Sequence, residues 1–514
     1  MSNSRSTIAK NTIYLYLRLL LTTIISLYTS RIVLQALGVE DYGLYNVVGS
    51  VVTVFSFLNS GMIQASQRFM SYEMGKDNKL DLKRVFTTTM LIHVLIAVVT
   101  FILVEAVGVW FLNNKLNIAQ ERMYAANWVF HLSLLSFSVG VLTVPFYSAI
   151  ISHEKMGLYA ITSFVDALLK LGIVFIIKYS SGDRLIFYAV LLLLIPLFEL
   201  FVYATYCKFK FEEVSFRLQY HKDLFRRILS FAGWSFVGNM GHAGRNTGVN
   251  VVINMLCGVS MNTVRGIAYQ VSTQIMTFAS NFLMAIVPQI TKRFAANDIS
   301  GMLSLTLRGS KLSFILLYMI VLPFYLRAYY VLSLWLGQVP NYSVEFVSLV
   351  LVTIIIDGMA IPLGKAIDAT GDIKWFQICI ACVMLLDVPI SYLILLTGVN
   401  PYYVVISSIL VSLIALGVRI LIIKKKFEMF SIKSYLINVI AKCIEASMVT
   451  FGACYYINRF IPNNIVGLLG LIIITIIVNI LVFSIWVLDH SEKSMIKHAI
   501  FLKLHINKKN ECND

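Results

Sequence analysis

The sequence predicts an all-α polytopic membrane protein, and three observations predict it: an apolar composition, apolar runs of bilayer length, and basic residues gathered into alternate loops. Of 514 residues, 58% are hydrophobic and 13% charged, with a mean hydropathy of +0.80. Soluble domains carry about 25% charged residues, so lipid is the main solvent here.

Crossing a bilayer as a helix takes about 20 apolar residues. A window of about 19 residues places spans near 12–34, 43–66, 86–111, 124–150, 158–178 and 184–206, then 229–256, 262–290, 305–332, 344–366, 373–396 and 401–423, and finally 435–458 and 464–488. The expectation is therefore about fourteen helices. A β-barrel would alternate apolar and polar residues in segments of about ten, whereas Leu191–Ile195 and Leu471–Ile477 are apolar on every face. Arg5 and Lys10 precede a first run longer than a secretory signal core, and no small-residue cleavage site follows before Arg31, so this run reads as a retained helix.

The formal charge of +16 reflects topology rather than nucleic-acid binding. Basic residues collect in alternate loops, among them Lys76 to Arg84, Lys208 to Arg227, Lys292 to Lys311 and Lys424 to Lys433. The intervening loops hold far fewer: Arg31, Lys115, Arg122, Lys178, Arg184, Arg265, Arg327 and Arg459. By the positive-inside rule both termini are expected in the cytoplasm, which requires an even number of spans. Short outer loops weigh against an enzyme such as a membrane glycosyltransferase or ligase, which needs an external domain or a catalytic acid motif.

The two halves repeat at an offset of about 220 residues, the duplication common in transporters. Gly38-Val39 corresponds to Gly258-Val259, and the helices that follow end in Gln67-Arg68-Phe69 and in Gln289 to Phe294. The halves enter the membrane in the same direction. The expected organisation is a six-helix bundle over 1–207, a basic cytoplasmic loop over 208–228, a second bundle over 229–427, two further helices over 428–488, and a basic cytoplasmic tail over 489–514.

Arg18, Lys170, Arg245, Arg419 and Lys442 fall within apolar runs, as do Asp166, Glu199, Asp357, Asp387 and Glu445. A charge at a helix centre costs about 2.5–3.5 kcal/mol, so each marks either function or a pairing. Arg18 has no acid at helical spacing on its own run and is a cavity candidate. Arg245 lies in Gly238-Asn-Met-Gly-His-Ala-Gly-Arg-Asn-Thr-Gly248, where His242, Asn246 and Asn250 add polarity. The glycines fit either a cavity or a close helix crossing. Arginine suits a diphosphate because its fork binds two oxygens, which makes Arg18, Arg245, Asn246, Asn250 and His242 the substrate-binding candidates. Asp357 and Glu199 are the candidates for coupling to Na⁺ or H⁺. Asp166 and Lys170, four apart, fit an ion pair or a ligand role, and Arg419 reads as snorkelling toward Lys424–Lys426. Of seven cysteines, Cys379 and Cys382 form a lone CxxC inside an apolar helix, which reads as packing rather than metal binding. No catalytic residue, metal or bound cofactor is expected.

Several motifs carry a resemblance: Arg31-Ile-Val-Leu-Gln-Ala-Leu-Gly-Val-Glu-Asp-Tyr-Gly-Leu-Tyr45, Phe57-Leu-Asn59 and Gln67-Arg-Phe69 in the first half. In the second stand Val264-Arg-Gly-Ile-Ala-Tyr-Gln270, Pro288-Gln-Ile290, Leu334-Trp-Leu-Gly337 and Ala369-Thr-Gly371. Over nearly the whole chain this resembles the bacterial oligosaccharide and O-antigen flippases of the multidrug/oligosaccharidyl-lipid/polysaccharide exporter superfamily. The resemblance implies a MATE-like fold of two pseudo-symmetric six-helix bundles around a central cavity, with two extra C-terminal helices. It also implies alternating-access inversion of an undecaprenyl-diphosphate-linked glycan across the bacterial inner membrane, for lipopolysaccharide O-antigen, capsule or exopolysaccharide assembly. The implied partners are that glycan lipid, membrane lipids and a polysaccharide polymerase, with no nucleic acid. The competing reading within the superfamily is a cation-coupled multidrug exporter.

Overall fold

A computed structural model describes residues 2–53, 56–115, 118–178, 182–214, 220–489 and 493. The expected cytoplasmic tail beyond Asp489, with Cys512, and the loop residue Arg217 lie outside the described residues, apart from Lys493, as do the side chains of Arg31 and Phe57. Every extended element among the described residues is a helix.

Among the described residues, eleven helices are long and apolar enough to cross a membrane, and a shorter apolar stretch, Tyr14–Ser26, joins them. This makes the chain a multi-pass membrane protein. The expected count of fourteen is not reached on that measure. Residues 229–256 form a helix too polar for it, 12–34 yields only the shorter stretch, and 43–66 contains two residues outside the description.

The chain forms two compact units, residues 11–236 and residues 237–514 with 1–10. The N-terminal unit contains α1 (Ser2–Thr53), α2 (Ser56–Gly75), α3 (Lys79–Lys115), α4 (Met123–Ser152), α5 (Met156–Lys178) and α6 (Arg184–Lys210). The division falls within α7 (Lys222–Cys257). The C-terminal unit continues with α8 (Val259–Ala295), α9 (Ile299–Leu326), α10 (Ala328–Leu336), α11 (Ser343–Ala369), α12 (Lys374–Leu385), α13 (Asp387–Leu396) and α14 (Val404–Lys426). Then follow α15 (Ile432–Tyr435), a π-helical turn at Leu436–Ala441, α16 (Lys442–Asn458) and α17 (Ile465–Trp486).

The helix boundaries follow from local chemistry. Asp183 accepts from the amides of Leu185 and Ile186 and caps α6, Asp298 caps α9 through Gly301, and Asn464 caps α17 through Gly467. Basic residues close the last turns of α6, α8 and α14, where the helix dipole favours them. The break between α12 and α13 lies at Leu386, three residues before Pro389. A proline ring clashes with the carbonyl four residues back, which disfavours a continuous helix there.

The internal repeat has a conformational signature. Gly38 interrupts α1 at φ 82°, ψ 168°, and Gly258 caps α8 at φ 82°, ψ 178°. This region is essentially restricted to glycine, and the two glycines are those that align at the repeat offset. Three residues beyond Gly38, Asp41 pairs with Arg122, which also donates to Asp183 at 2.7 Å. Arg122 thus ties the motif to the starts of α4 and α6.

In the N-terminal unit, Val48, Val104, Leu112, Val129, Phe130 and Leu134 form a core across α1, α3 and α4. In the C-terminal unit, Val249, Val264, Leu317, Phe346, Val347 and Leu351 join α7, α8, α9 and α11. The last helices are fastened by Arg327, between α9 and α10. Its guanidinium donates to Asn458 Oδ1 at 2.7 Å, to Asn463 Oδ1 at 2.8 Å and to the carbonyls of Ile461 and Pro462. Lys311 meets Asp489 at 3.0 Å.

Candidate functional site

Arg18 of α1 donates from Nη1 to the Tyr159 hydroxyl at 2.6 Å, and its guanidinium lies 4.5 Å from the centre of that ring. Tyr159 meets Tyr147 edge to face, with centroids 5.2 Å apart, and Thr162 shares a 2.6 Å hydrogen bond with Tyr203. Further along the same face of α5, Asp166 and Lys170 pair at 2.9 Å. Glu199 on α6 feels both charges. Of the two roles open to Asp166 and Lys170, the structure shows the ion pair. Four helices of the N-terminal unit thus carry a polar strip with Arg18 near one end and Glu199 near the other. A second intramembrane pair, Glu105 with His131 at 2.8 Å, went unseen in the sequence because each residue stands alone in its run.

In the C-terminal unit the glycines of α7 serve a close crossing. A Cβ at Gly241 would stand 2.5 Å from the Cα of Ala381 on α12, and one at Gly248 would stand 2.5 Å from Val388 on α13. That crossing delivers Arg245, 4% exposed, to Asp387, which is 0% exposed. Arg245 Nε donates to Asp387 Oδ2 at 2.7 Å, Nη2 to the Ser408 carbonyl at 3.1 Å, and Nη1 to Ser412 Oγ at 3.4 Å. Asp387 also accepts from the hydroxyls of Ser391, Ser407 and Ser408. The charge of Arg245 is offset inside the protein.

His242, Arg245, Asn246 and Asp357 line one cavity of about 310 Å³ with Tyr269, Ser272, Thr273, Thr277, Ser280 and Thr353. The Asp357 side chain is 26% exposed and lies 3.9 Å from Arg245 Nη1. Asn250 and the backbone carbonyl of Asn246 hold Arg265 Nη1, and that guanidinium stacks 4.1 Å above Tyr269. Four of the expected residues therefore share this cavity with Asn250 beside it, whereas Arg18 and Glu199 belong to the N-terminal unit.

Two arginines depart from expectation. Arg265, assigned to an outer loop, lies in the second turn of α8 and is 3% exposed. Arg419, expected to snorkel, is buried, with Nε near the space left by Gly364 of α11. Within the otherwise apolar run of α14, Ser407 and Ser408 donate to Asp387 and Ser412 accepts from Arg245.

The family model "Polysaccharide biosynthesis protein" matches residues 8–294, more than half of the chain. The chain belongs to the polysaccharide biosynthesis protein family. No curated protein sequence matches it. Among solved structures, this family member resembles a MATE point mutant with a TM-score of 0.72 at 12% identity, covering 83% of this chain and 100% of that one. It also resembles a MOP-superfamily transporter from Pyrococcus furiosus, with a TM-score of 0.70, 12% identity and coverage of 83% and 98%. A multidrug-resistance MATE transporter in an outward-facing conformation gives 0.65 at 14% identity, covering 82% and 96%. The fold of this polysaccharide biosynthesis protein is that of the MATE and MOP-superfamily transporters.

Proposed function

We propose that this protein is a flippase that inverts an undecaprenyl-diphosphate-linked oligosaccharide from the cytoplasmic to the periplasmic leaflet by alternating access. The observation that carries the reading is the family itself: a polysaccharide biosynthesis protein built of membrane helices on a transporter fold. Inverting a lipid-linked glycan is the step such a protein performs without covalent chemistry. The charge pattern supports a bacterial inner-membrane location with both termini cytoplasmic.

Arg18 is the arginine assigned to the diphosphate. It is partly exposed in the polar strip, whereas Arg245 is engaged by Asp387 and shapes the cavity wall. The lipid tail stays in the bilayer, and a polymerase is the downstream partner. Coupling to H⁺ or Na⁺ falls to Asp357 or Glu199, intramembrane carboxylates of the two units.

One observation favours a second reading, a cation-coupled exporter: Asp357 is the accessible charge in the C-terminal cavity, and Arg245 beside it is already neutralised. Proteoliposomes containing a lipid-linked oligosaccharide decide between the two. Sugar accessibility is read from each side, beside efflux of an organic cation. Inversion without cation efflux is the expected result, and cation flux without inversion selects the exporter.

A further inference from the structure

The cavity of the C-terminal unit has a hydrogen-bonding polarity that a diphosphate does not match. On α8, Tyr269, Thr273 and Thr277 recur every four residues and place one face toward the cavity, with Ser272 and Ser280 beside them. Across from them stand Thr353 and Asp357 of α11, also four apart.

All three threonines have spent their hydroxyl protons on their own helices. Thr273 donates to the Tyr269 carbonyl at 2.9 Å, Thr277 to the Thr273 carbonyl at 2.8 Å, and Thr353 to the Leu349 carbonyl at 3.3 Å. A hydroxyl that donates to a carbonyl keeps only its lone pairs for a ligand. With the Asp357 carboxylate, these threonines offer acceptors, while the hydroxyls of Tyr269, Ser272 and Ser280 supply neutral groups that can donate as well as accept. The donors of Arg245 are turned to Asp387, Ser408 and Ser412, so they do little to reverse this balance.

Phosphate oxygens are acceptors and find no charged donor among the lining residues of these two faces. Sugar hydroxyls donate as well as accept, and a pyranose presents several of them around a ring. We propose that the Thr273, Thr277, Thr353 and Asp357 face is a saccharide subsite that holds the glycan part of the ligand. This rests on the flippase reading for the ligand's identity, and it assigns sugar recognition to the C-terminal unit. It also makes this cavity the determinant of which glycan the protein accepts.

The test compares wild type with Thr273→Val/Thr277→Val, which removes two acceptors at nearly constant volume, and with Thr273→Ser/Thr277→Ser, which keeps them. Proteoliposomes receive undecaprenyl diphosphate carrying a trisaccharide, or the same lipid without sugar, and purified protein is applied to an array of free glycans. Loss of two hydrogen bonds is expected to lower inversion of the glycan lipid relative to the sugar-free lipid about thirtyfold. Glycan-array binding should fall in parallel, and the serine pair should restore both. Equal loss for the two lipids, or glycan selection unchanged in the valine pair, overturns the subsite. Binding of an organic cation that the valine pair abolishes, with no glycan bound by wild type, overturns it in favour of a cation site. If wild type inverts neither lipid yet binds glycans through these threonines, the subsite stands and the flippase reading falls.

Discussion

Arg245 Nε and Asp387 Oδ2 lie 2.7 Å apart in the interior of the C-terminal unit, 142 positions apart in sequence. Removing one partner of a buried pair leaves an uncompensated charge and costs about 3–5 kcal/mol. Arg245→Ala and Asp387→Ala are each expected to lower the melting temperature of the detergent-purified protein markedly. Arg245→Met/Asp387→Leu should recover most of the loss. Additive losses across this cycle would show that the two residues do not depend on each other.

Arg18 is predicted to act on transport and not on folding, because it is partly exposed near one end of the polar strip, where its Nη1 donates to Tyr159. Arg18→Ala should reduce inversion of the lipid-linked glycan by at least about tenfold, the weight of one charge-assisted hydrogen bond. Membrane insertion and melting temperature should stay close to wild type. Tyr159→Phe, which keeps the guanidinium and its ring contact, should have the smaller effect in the same assay.

Gly38 and Gly258 should be equally intolerant of a side chain. A Cβ at either position meets nothing within 4 Å, so the cost comes from the backbone alone, of the order of 1–3 kcal/mol. Single alanine variants are expected to fall in melting temperature by similar amounts. An alanine tolerated at one position but not at the other would break the conformational equivalence of the two halves.

Arg327 should hold the final helices. Its hydrogen bonds to Asn458, Asn463 and the carbonyls of Ile461 and Pro462 close the turn between α16 and α17. Arg327→Ala is expected to open that turn to limited proteolysis near 459–464, with α9 and α11 remaining protected. Unchanged cleavage would remove it from this role.

The membrane class and the repeat were legible because both rest on periodic or composition-wide signals. Gly38 and Gly258 could be aligned in the sequence, and the structure gives them nearly the same φ and ψ. Span counting faltered at α7, whose glycines, asparagines and arginine suit contact with protein more than with lipid. The site was partly legible. His242, Arg245, Asn246 and Asp357 were singled out by polarity and do share a cavity. The partner of Arg245 was not legible, since Asp387 comes from a helix far along the chain, and pairing across helices leaves no local spacing to read. Arg265 was counted with the outer loops although the span expected over 262–290 contains it, and with Gly258 starting α8 it lies in the second turn of that helix.

The separation of Arg245 from Asp387 also sets an order for biogenesis. During synthesis α7 enters the membrane well before α11 and α13 have been made, so its guanidinium waits without Asp357 or Asp387 while α8 and α9 are inserted. An isolated arginine at a helix centre raises the cost of insertion by about 2.5–3.5 kcal/mol. Until those carboxylates emerge, α7 therefore depends on a sheltering helix or insertion factor, and ribosomal stalling before that point should leave it weakly embedded.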